Sequence, residues 1–489
     1  MFLRFNILVC VFLVFCRVGI HPSTCAAQDR TGQALYSFSA IKHTSVYMPL
    51  AEEIPAGHYS GITYLGGTKF AVVNDKMPGC GLMFFDISID SKGSITYVAP
   101  SSPSSTSSSS DTTQSSSSSL STSAVPTSAA FSSKVSGLDN EGVVFVPSNR
   151  LRHRMLDKTQ GWRSSDVLNP ESGDLPGTLF ISSERDQTIV EYNLDGEPTG
   201  RQLNVPDMFA KAKIVSNNGF EALAYNIITD KFWTTTERPL KADSSEDFMN
   251  KLGAGGPVLR IQSFTSDLES AGQYFYVMDR PVKTEEEGAA ARAYVHGVSA
   301  MTALDDGSLL VLEREVYVPK GGTLALMLNS FSKMKIYRVE PPASSPTSVI
   351  SHSATQSEQS KRSEPSKPSE PSEPSEPSEL SEPSKHSEPS GPSKPSGPSK
   401  HSEPSKPSKP SKPSVSSEKS SSKNPTEPYI LSKKLITTFS TSSMNLANYE
   451  GMCLGPDLPG GWHTLVLIAD SQGGQGGLTN EYIKVITFK

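Results

Sequence analysis

Phe220-Glu221-Ala222-Leu223, answered one hairpin later by Thr236-Glu237-Arg238, decides the fold of this chain. An acid and a small residue open one strand, and a second strand, rich in threonine and aromatics, ends on another acid. The same unit recurs as Ser60-Gly61-Ile62 to Asn74-Asp75-Lys76 and as Asn140-Glu141-Gly142-Val143 to Ser183-Glu184-Arg185. Two later copies run from His296-Gly297-Val298 to Leu312-Glu313-Arg314 and from Tyr449-Glu450-Gly451-Met452 to Ala469-Asp470-Ser471. Internal repetition at long, fairly even spacing is the mark of a repeat architecture.

Each pair is followed by a third and often a fourth strand, so the unit predicts a four-stranded antiparallel blade and the whole an all-β propeller. Five blades are legible, and the long spacings leave room for a sixth. The last copy ends after three strands at Lys489, and the run Tyr36 to Met48 is expected to supply its outer strand and close the ring. The competing all-β architecture, a sandwich with accidentally similar hairpins, offers no reason for such closure.

Two stretches interrupt the repeat. Residues 101–133 are almost pure Ser/Thr, and 341–428 are dominated by Ser-Glu-Pro and Ser-Lys-Pro triplets. Both are expected to be disordered insertions, because they hold too few apolar side chains to offset the entropy of ordering. The remainder suits one large all-β domain over 28–489.

At the N-terminus, Arg4 precedes an apolar run from Phe5 to Cys16 and the small residues Ser23-Thr24-Cys25-Ala26-Ala27. This predicts a cleaved signal peptide over 1–27 and a secreted or periplasmic protein starting near Gln28. The run is shorter than the ~20 residues that a spanning helix needs. Phe15 before Cys16 argues against a lipid anchor there. After cleavage Cys80 and Cys453 remain, enough for one disulfide and too few for a cysteine-held zinc site. A formal net charge of -6 without a basic block gives a nucleic-acid partner no electrostatic support. The oligomeric state is not legible.

In a blade the residue opening the first strand lies beside the one closing the second. The repeat therefore predicts a carboxylate ring at one channel mouth: Glu141, Glu221 and Glu450 from first strands, with Asp75, Glu184, Glu237, Glu313 and Asp470 from second strands. So many acids repel unless they hold a cation, share protons or pair with bases. Hard oxygen donors in a cluster suit calcium. Lys76, Arg185, Arg238 and Arg314 each follow an acid and are candidate anchors for a phosphate or other oxyanion. The alternative is that the acids cap hairpin turns. His296 is read either as an acid or base or as a hydrogen-bonding residue at a strand start. Gly297-Val298-Ser299-Ala300 lacks the full Gly-x-Ser-x-Gly elbow and reads as the start of an inner strand. Gly473-Gly474-Gln475-Gly476-Gly477, without a following Lys-Ser/Thr, reads as a hairpin loop.

On these residues the chain resembles the phytase-like family, described as esterase-like activity of phytase. The segments that carry the resemblance are Asn217 to Ala224 with Glu237-Arg238-Pro239-Leu240, and Asn448 to Met452 through Leu454-Gly455-Pro456 to Ala469-Asp470-Ser471. The resemblance implies a secreted propeller that hydrolyses phosphate or carboxylic esters, a small-molecule substrate, and calcium by analogy with calcium-dependent phytases. Glu221, Glu237 and Arg238 are then the expected catalytic residues, Lys76, Arg185 and Arg314 the substrate-binding ones, and Asp75, Glu141, Glu184, Glu313, Glu450 and Asp470 the metal ligands. A non-catalytic propeller that binds a metal, a ligand or a protein is the other class left open.

Overall fold

A computed structural model of the chain describes residues 36–47, 57–76, 81–101, 131–132, 135, 139–149, 151–152, 177–342, 429–442, 445–471 and 482–489. These all lie in one compact unit, 1–348 with 426–489; the second unit, 349–425, falls outside the described residues, as do the expected signal peptide, Cys80 and the Gly473 to Gly477 loop.

Five antiparallel sheets form a five-bladed propeller. Blade 1 is Tyr59–Gly66, Lys69–Asn74, Leu82–Ile89 and Ile95–Pro100, and blade 2 is Asn140–Pro147, Gly177–Ser183, Thr188–Tyr192 and Pro198–Gln202. Blade 3 is Phe220–Asn226, Lys231–Thr236, Val258–Phe264 and Ser270–Val277; blade 4 is Ala293–Ala303, Leu309–Val318, Phe331–Val339 and Lys433–Ser442. Blade 5 is Asn448–Leu454, His463–Asp470 and Ile483–Phe488, completed by Ile41–Tyr47. The innermost strands touch in the order 1-2-3-4-5-1, which closes the ring.

Strand composition follows position in the blade. Lys69–Asn74 and Ile483–Phe488 are buried along their whole length because a neighbouring blade covers each face, and they are mostly apolar, with Lys69, Asn74, Lys484 and Thr487 the buried polar positions. The outermost strands mix exposed and half-buried positions, as in Lys433–Ser442. The apolar core is divided among the blade interfaces, one cluster to each. Phe180, Phe220 and Phe232 pack between blades 2 and 3, for example, and Leu312, Ile336, Leu465 and Leu467 between blades 4 and 5.

Ring closure uses the N-terminal strand as expected. Ile41 pairs with Phe488 and Tyr47 with Ile483 in antiparallel register. Tyr36, 5% exposed, packs its ring 4.8 Å from that of His463, and Phe38 stacks on Phe488 at 4.9 Å.

The edges of the first insertion move inward. Ser101 is buried and accepts a hydrogen bond from Lys69 Nζ at 2.6 Å, and residues 131–132 pair with Leu82 and Met83, so both belong to blade 1. No helix among the described residues is long and apolar enough to cross a membrane.

Candidate functional site

The first strand of every blade carries a register shift, near its start in blades 1, 2, 3 and 5 and mid-strand in blade 4. It falls between Tyr59 and Gly61, Asn140 and Val143, Phe220 and Ala222, Val298 and Ala300, and Tyr449 and Gly451. A bulge of this kind re-aims a side chain. The bulged residues Ser60, Glu141, Glu221, Ser299 and Glu450 line one narrow cavity on the axis, of about 10 Å³, close to the size of a single water.

The small residue that follows has a steric cause. A Cβ on Gly61 would stand 2.5 Å from the backbone oxygen of Glu141 and 3.0 Å from Val143 N, and one on Gly142 would stand 2.7 Å from Leu223 Cβ. Inner strands of adjacent blades approach too closely there for a side chain.

The bulges set the equivalence between blades. Tyr59 pairs with Asn74, Asn140 with Ser183, Phe220 with Thr236, Val298 with Glu313 and Tyr449 with Ala469. The next residue along the second strand forms a second ring: Asp75, Glu184, Glu237, Arg314 and Asp470. Blade 4 is thus one residue out of step with the sequence reading, which aligned Glu313 with Glu237. Ser299, not His296, is the counterpart of Glu221. The hairpin Ala293–Ala303 with Leu309–Val318 runs on past the ring, so neither residue marks a strand end.

Glu313 accordingly sits apart from the ring acids. Its carboxylate accepts hydrogen bonds from Tyr276 Oη at 2.7 Å, Asp279 N at 3.1 Å and Lys433 Nζ at 2.6 Å. Arg314, expected as a substrate anchor, is 4% exposed and turned into the acids. Its Nη2 donates to Glu237 Oε1 at 2.8 Å and lies 3.7 Å from Glu221 Oε1. Its Nη1 donates to Asn448 Oδ1 at 3.0 Å and to Glu450 Oε1.

Glu184 caps the start of blade 3: its Oε1 accepts from Gly219 N at 2.6 Å. For this residue the turn-capping alternative describes the geometry.

On the blade 1 and 2 side, oxygens of Asp75, Asp139 and Glu141 lie within 4.8 Å of one another. Among the described residues Oδ1 of Asp75 is buried without a hydrogen-bond partner, while its other oxygen pairs with Lys76, whose side chain is 56% exposed. His58 Nδ1 lies 3.6 Å from Asp75 Oδ1 and 4.0 Å from Asp470 Oδ1. The sequence reading pointed to neither Asp139 nor His58, because both precede the strand. A shared signal exists: each holds a left-handed backbone, φ 54° at Asp139 and 45° at His58, which non-glycine residues rarely adopt. Such conformations gather at functional sites.

Electrostatics matches this geometry. Burial, then the charges of Glu221 and Glu450, pushes the Glu141 carboxyl well above its ordinary value. Burial, then Glu237, does the same for Glu221. Asp139 is raised by burial, against the lowering pull of Lys76, Arg185 and Lys211. Arg185 is half exposed and pairs with Asp186 at 3.1 Å. Arg238 points its influence elsewhere, towards Tyr294 and His296. His296 is buried and pushed down to about 4 by desolvation.

A larger cavity of about 230 Å³ lies at the far ends of the same strands, among Tyr64, Phe145, Tyr225 and Leu454, away from the carboxylate rings.

Residues 54–370 match the family Phytase-like, described as esterase-like activity of phytase. The chain belongs to this family. The comparison with curated proteins finds no match. Among solved structures, this phytase-like chain is similar to the Dos1 propeller at 9% identity and a TM-score of 0.24, covering 64% of this chain and 60% of that one. It is also similar to a member of the DUF4221 family from Bacteroides vulgatus at 8% identity and a TM-score of 0.23, covering 61% of this chain and 85% of that one. The phytase-like chain thus spans three fifths of the Dos1 propeller chain.

Proposed function

We propose that this phytase-like propeller is a secreted hydrolase of phosphate or other esters, assisted by a calcium ion held at the acidic mouth. The observation that carries the reading is the grouping of Asp75, Asp139 and Glu141 around a buried carboxylate oxygen that has no hydrogen-bond partner among the described residues. Three hard oxygen donors in close array suit calcium better than a softer metal. Bound there, the cation would polarise a phosphoryl or carbonyl oxygen.

The chain's own residues supply the rest. Lys76, Arg185 and Lys211 all act on Asp139, so an anionic ester meets positive charge beside the acids. Glu221 makes no hydrogen bond to Arg314 at 3.7 Å, and burial together with Glu237 raises its affinity for a proton, which suits it to exchange a proton with water. Glu237 is tied to Arg314 and Glu450 to Arg314 and Asn448, so both are assigned to holding the ring. Asp470 stands beside His58, at the edge of the same group.

The other reading, a non-catalytic propeller, is favoured by the Glu184 cap and by the neutralising position of Arg314. Purified mature chain assayed on phosphoesters and carboxylic esters, with calcium and with chelator, separates the two. Turnover lost on chelation while the protein stays folded supports the hydrolase; a folded, calcium-loaded protein without turnover supports the binder.

A further inference from the structure

Four blades place an acid at the second-ring position, as Asp75, Glu184, Glu237 and Asp470, and blade 4 alone places an arginine there. Arg314 is fully enclosed and contacts side chains of two other blades: Glu221 and Glu237 of blade 3, Asn448 and Glu450 of blade 5. Asp75, Asp139 and Glu141, across the channel, have no arginine among them.

We propose that Arg314 is a built-in cation that takes the place of a second metal ion, so that the mouth holds a single ion on the side of blades 1 and 2. This deepens the reading of the mouth as a cation site and rests on it for the first ion only.

The donor set around Arg314 is what a hard cation would require. Glu221, Glu237, Glu450 and the amide oxygen of Asn448 offer oxygens from two blades, and calcium takes six to eight such ligands with water completing the shell. A guanidinium fills the same space with one fixed positive charge and planar donors. One sign of imperfect fit is on the arginine itself, whose Nε is buried without a hydrogen-bond partner among the described residues. The group neutralises the pocket and donates from both Nη atoms, to Glu237, Asn448 and Glu450, while its Nε stays unsatisfied.

The ring is therefore asymmetric by sequence. One side is neutralised by a buried guanidinium; the other carries only the half-exposed ammonium of Lys76, on one oxygen of Asp75, and its remaining charge is left to a dissociable ion.

The test is the number of calcium ions bound per chain, read by metal analysis after equilibrium dialysis, in the wild type and in Arg314→Gln. The expected result is one ion in the wild type and one more in the variant. If the wild type binds one and a folded Arg314→Gln also binds one, the inference is overturned while the first site stands. If the wild type binds none and the variant binds one, the Asp75 site fails and the inference stands. If neither binds calcium, both fail. Should the variant unfold in chelator, calcium is expected to refold it and to raise its melting temperature by more than it raises that of the wild type. An equal shift, or no refolding, overturns the inference. Arg314→Lys, which keeps the charge, is expected to stay at the wild-type count.

Discussion

Arg314 of blade 4 donates from Nη2 to Oε1 of Glu237 of blade 3 at 2.8 Å, and both side chains are buried. This contact joins two blades at the one place where the ring of acids is broken by a base. Leaving the acids unpaired should be costly, since breaking a buried ion pair from one side commonly costs ~3–5 kcal/mol. Arg314→Met in chelator is expected to lose stability on that scale in urea unfolding, and Arg185→Met, at a half-exposed rim pair, to change it far less.

The acids legible in sequence were those whose acid-then-small pattern records two physical demands at once. Glu141-Gly142 and Glu450-Gly451 each combine a side chain lining the axial cavity with a close approach of the next blade, and Glu221-Ala222 repeats the pattern with alanine in the small position. The exchange of Arg314 for an acid was illegible because Leu312-Glu313-Arg314 resembles Thr236-Glu237-Arg238, and only the position of the bulge, set by Val298 opposite Glu313, shifts the frame by one. Asp139 and His58 lie in loops, where no strand period points to them. The five blades were legible because the paired strand motif recurs five times, and N-terminal closure because the last blade lacks a strand of its own.

The close approach gives a direct stability test. Gly61→Ala puts a methyl against a backbone oxygen 2.5 Å away, which cannot rotate aside, so a loss of ~1–3 kcal/mol is expected. Gly322→Ala, in open space, should change stability by less than about 0.5 kcal/mol. Thermal melts of the two variants check the contrast.

Closure by the N-terminal strand has its own test. Tyr36→Ala removes a buried ring packed between His463 and Phe488 and is expected to cost ~3 kcal/mol. Tyr97→Ala, 56% exposed, should be nearly neutral. Comparable losses in both would place the weight of closure elsewhere.

The pH dependence of the calcium-free protein follows from two opposed groups. Glu221 is raised in the fold by burial and Glu237, so it favours the folded state fully below its ordinary value of 4.5, and that contribution is lost as pH rises through the raised folded value. His296 is lowered from 6.5 to about 4 by burial, so its contribution is present above 6.5 and lost as pH falls towards 4. Melting temperature in chelator is therefore expected to peak on the acid side of neutrality. Glu221→Gln should flatten the alkaline limb and His296→Gln the acid limb.

The cation site itself is tested most directly by calorimetric titration of calcium into the wild type, Glu141→Gln, Asp139→Asn and Glu313→Gln. Glu313→Gln serves as the control because that carboxylate is engaged by Tyr276, Asp279 and Lys433 away from the cluster. The expected result is saturable binding in the wild type and in Glu313→Gln, with affinity at least about tenfold weaker in Glu141→Gln and Asp139→Asn, on the order of 1.4 kcal/mol or more per lost charge. Equal calcium affinity in all four proteins, or no binding in the wild type, would contradict the account.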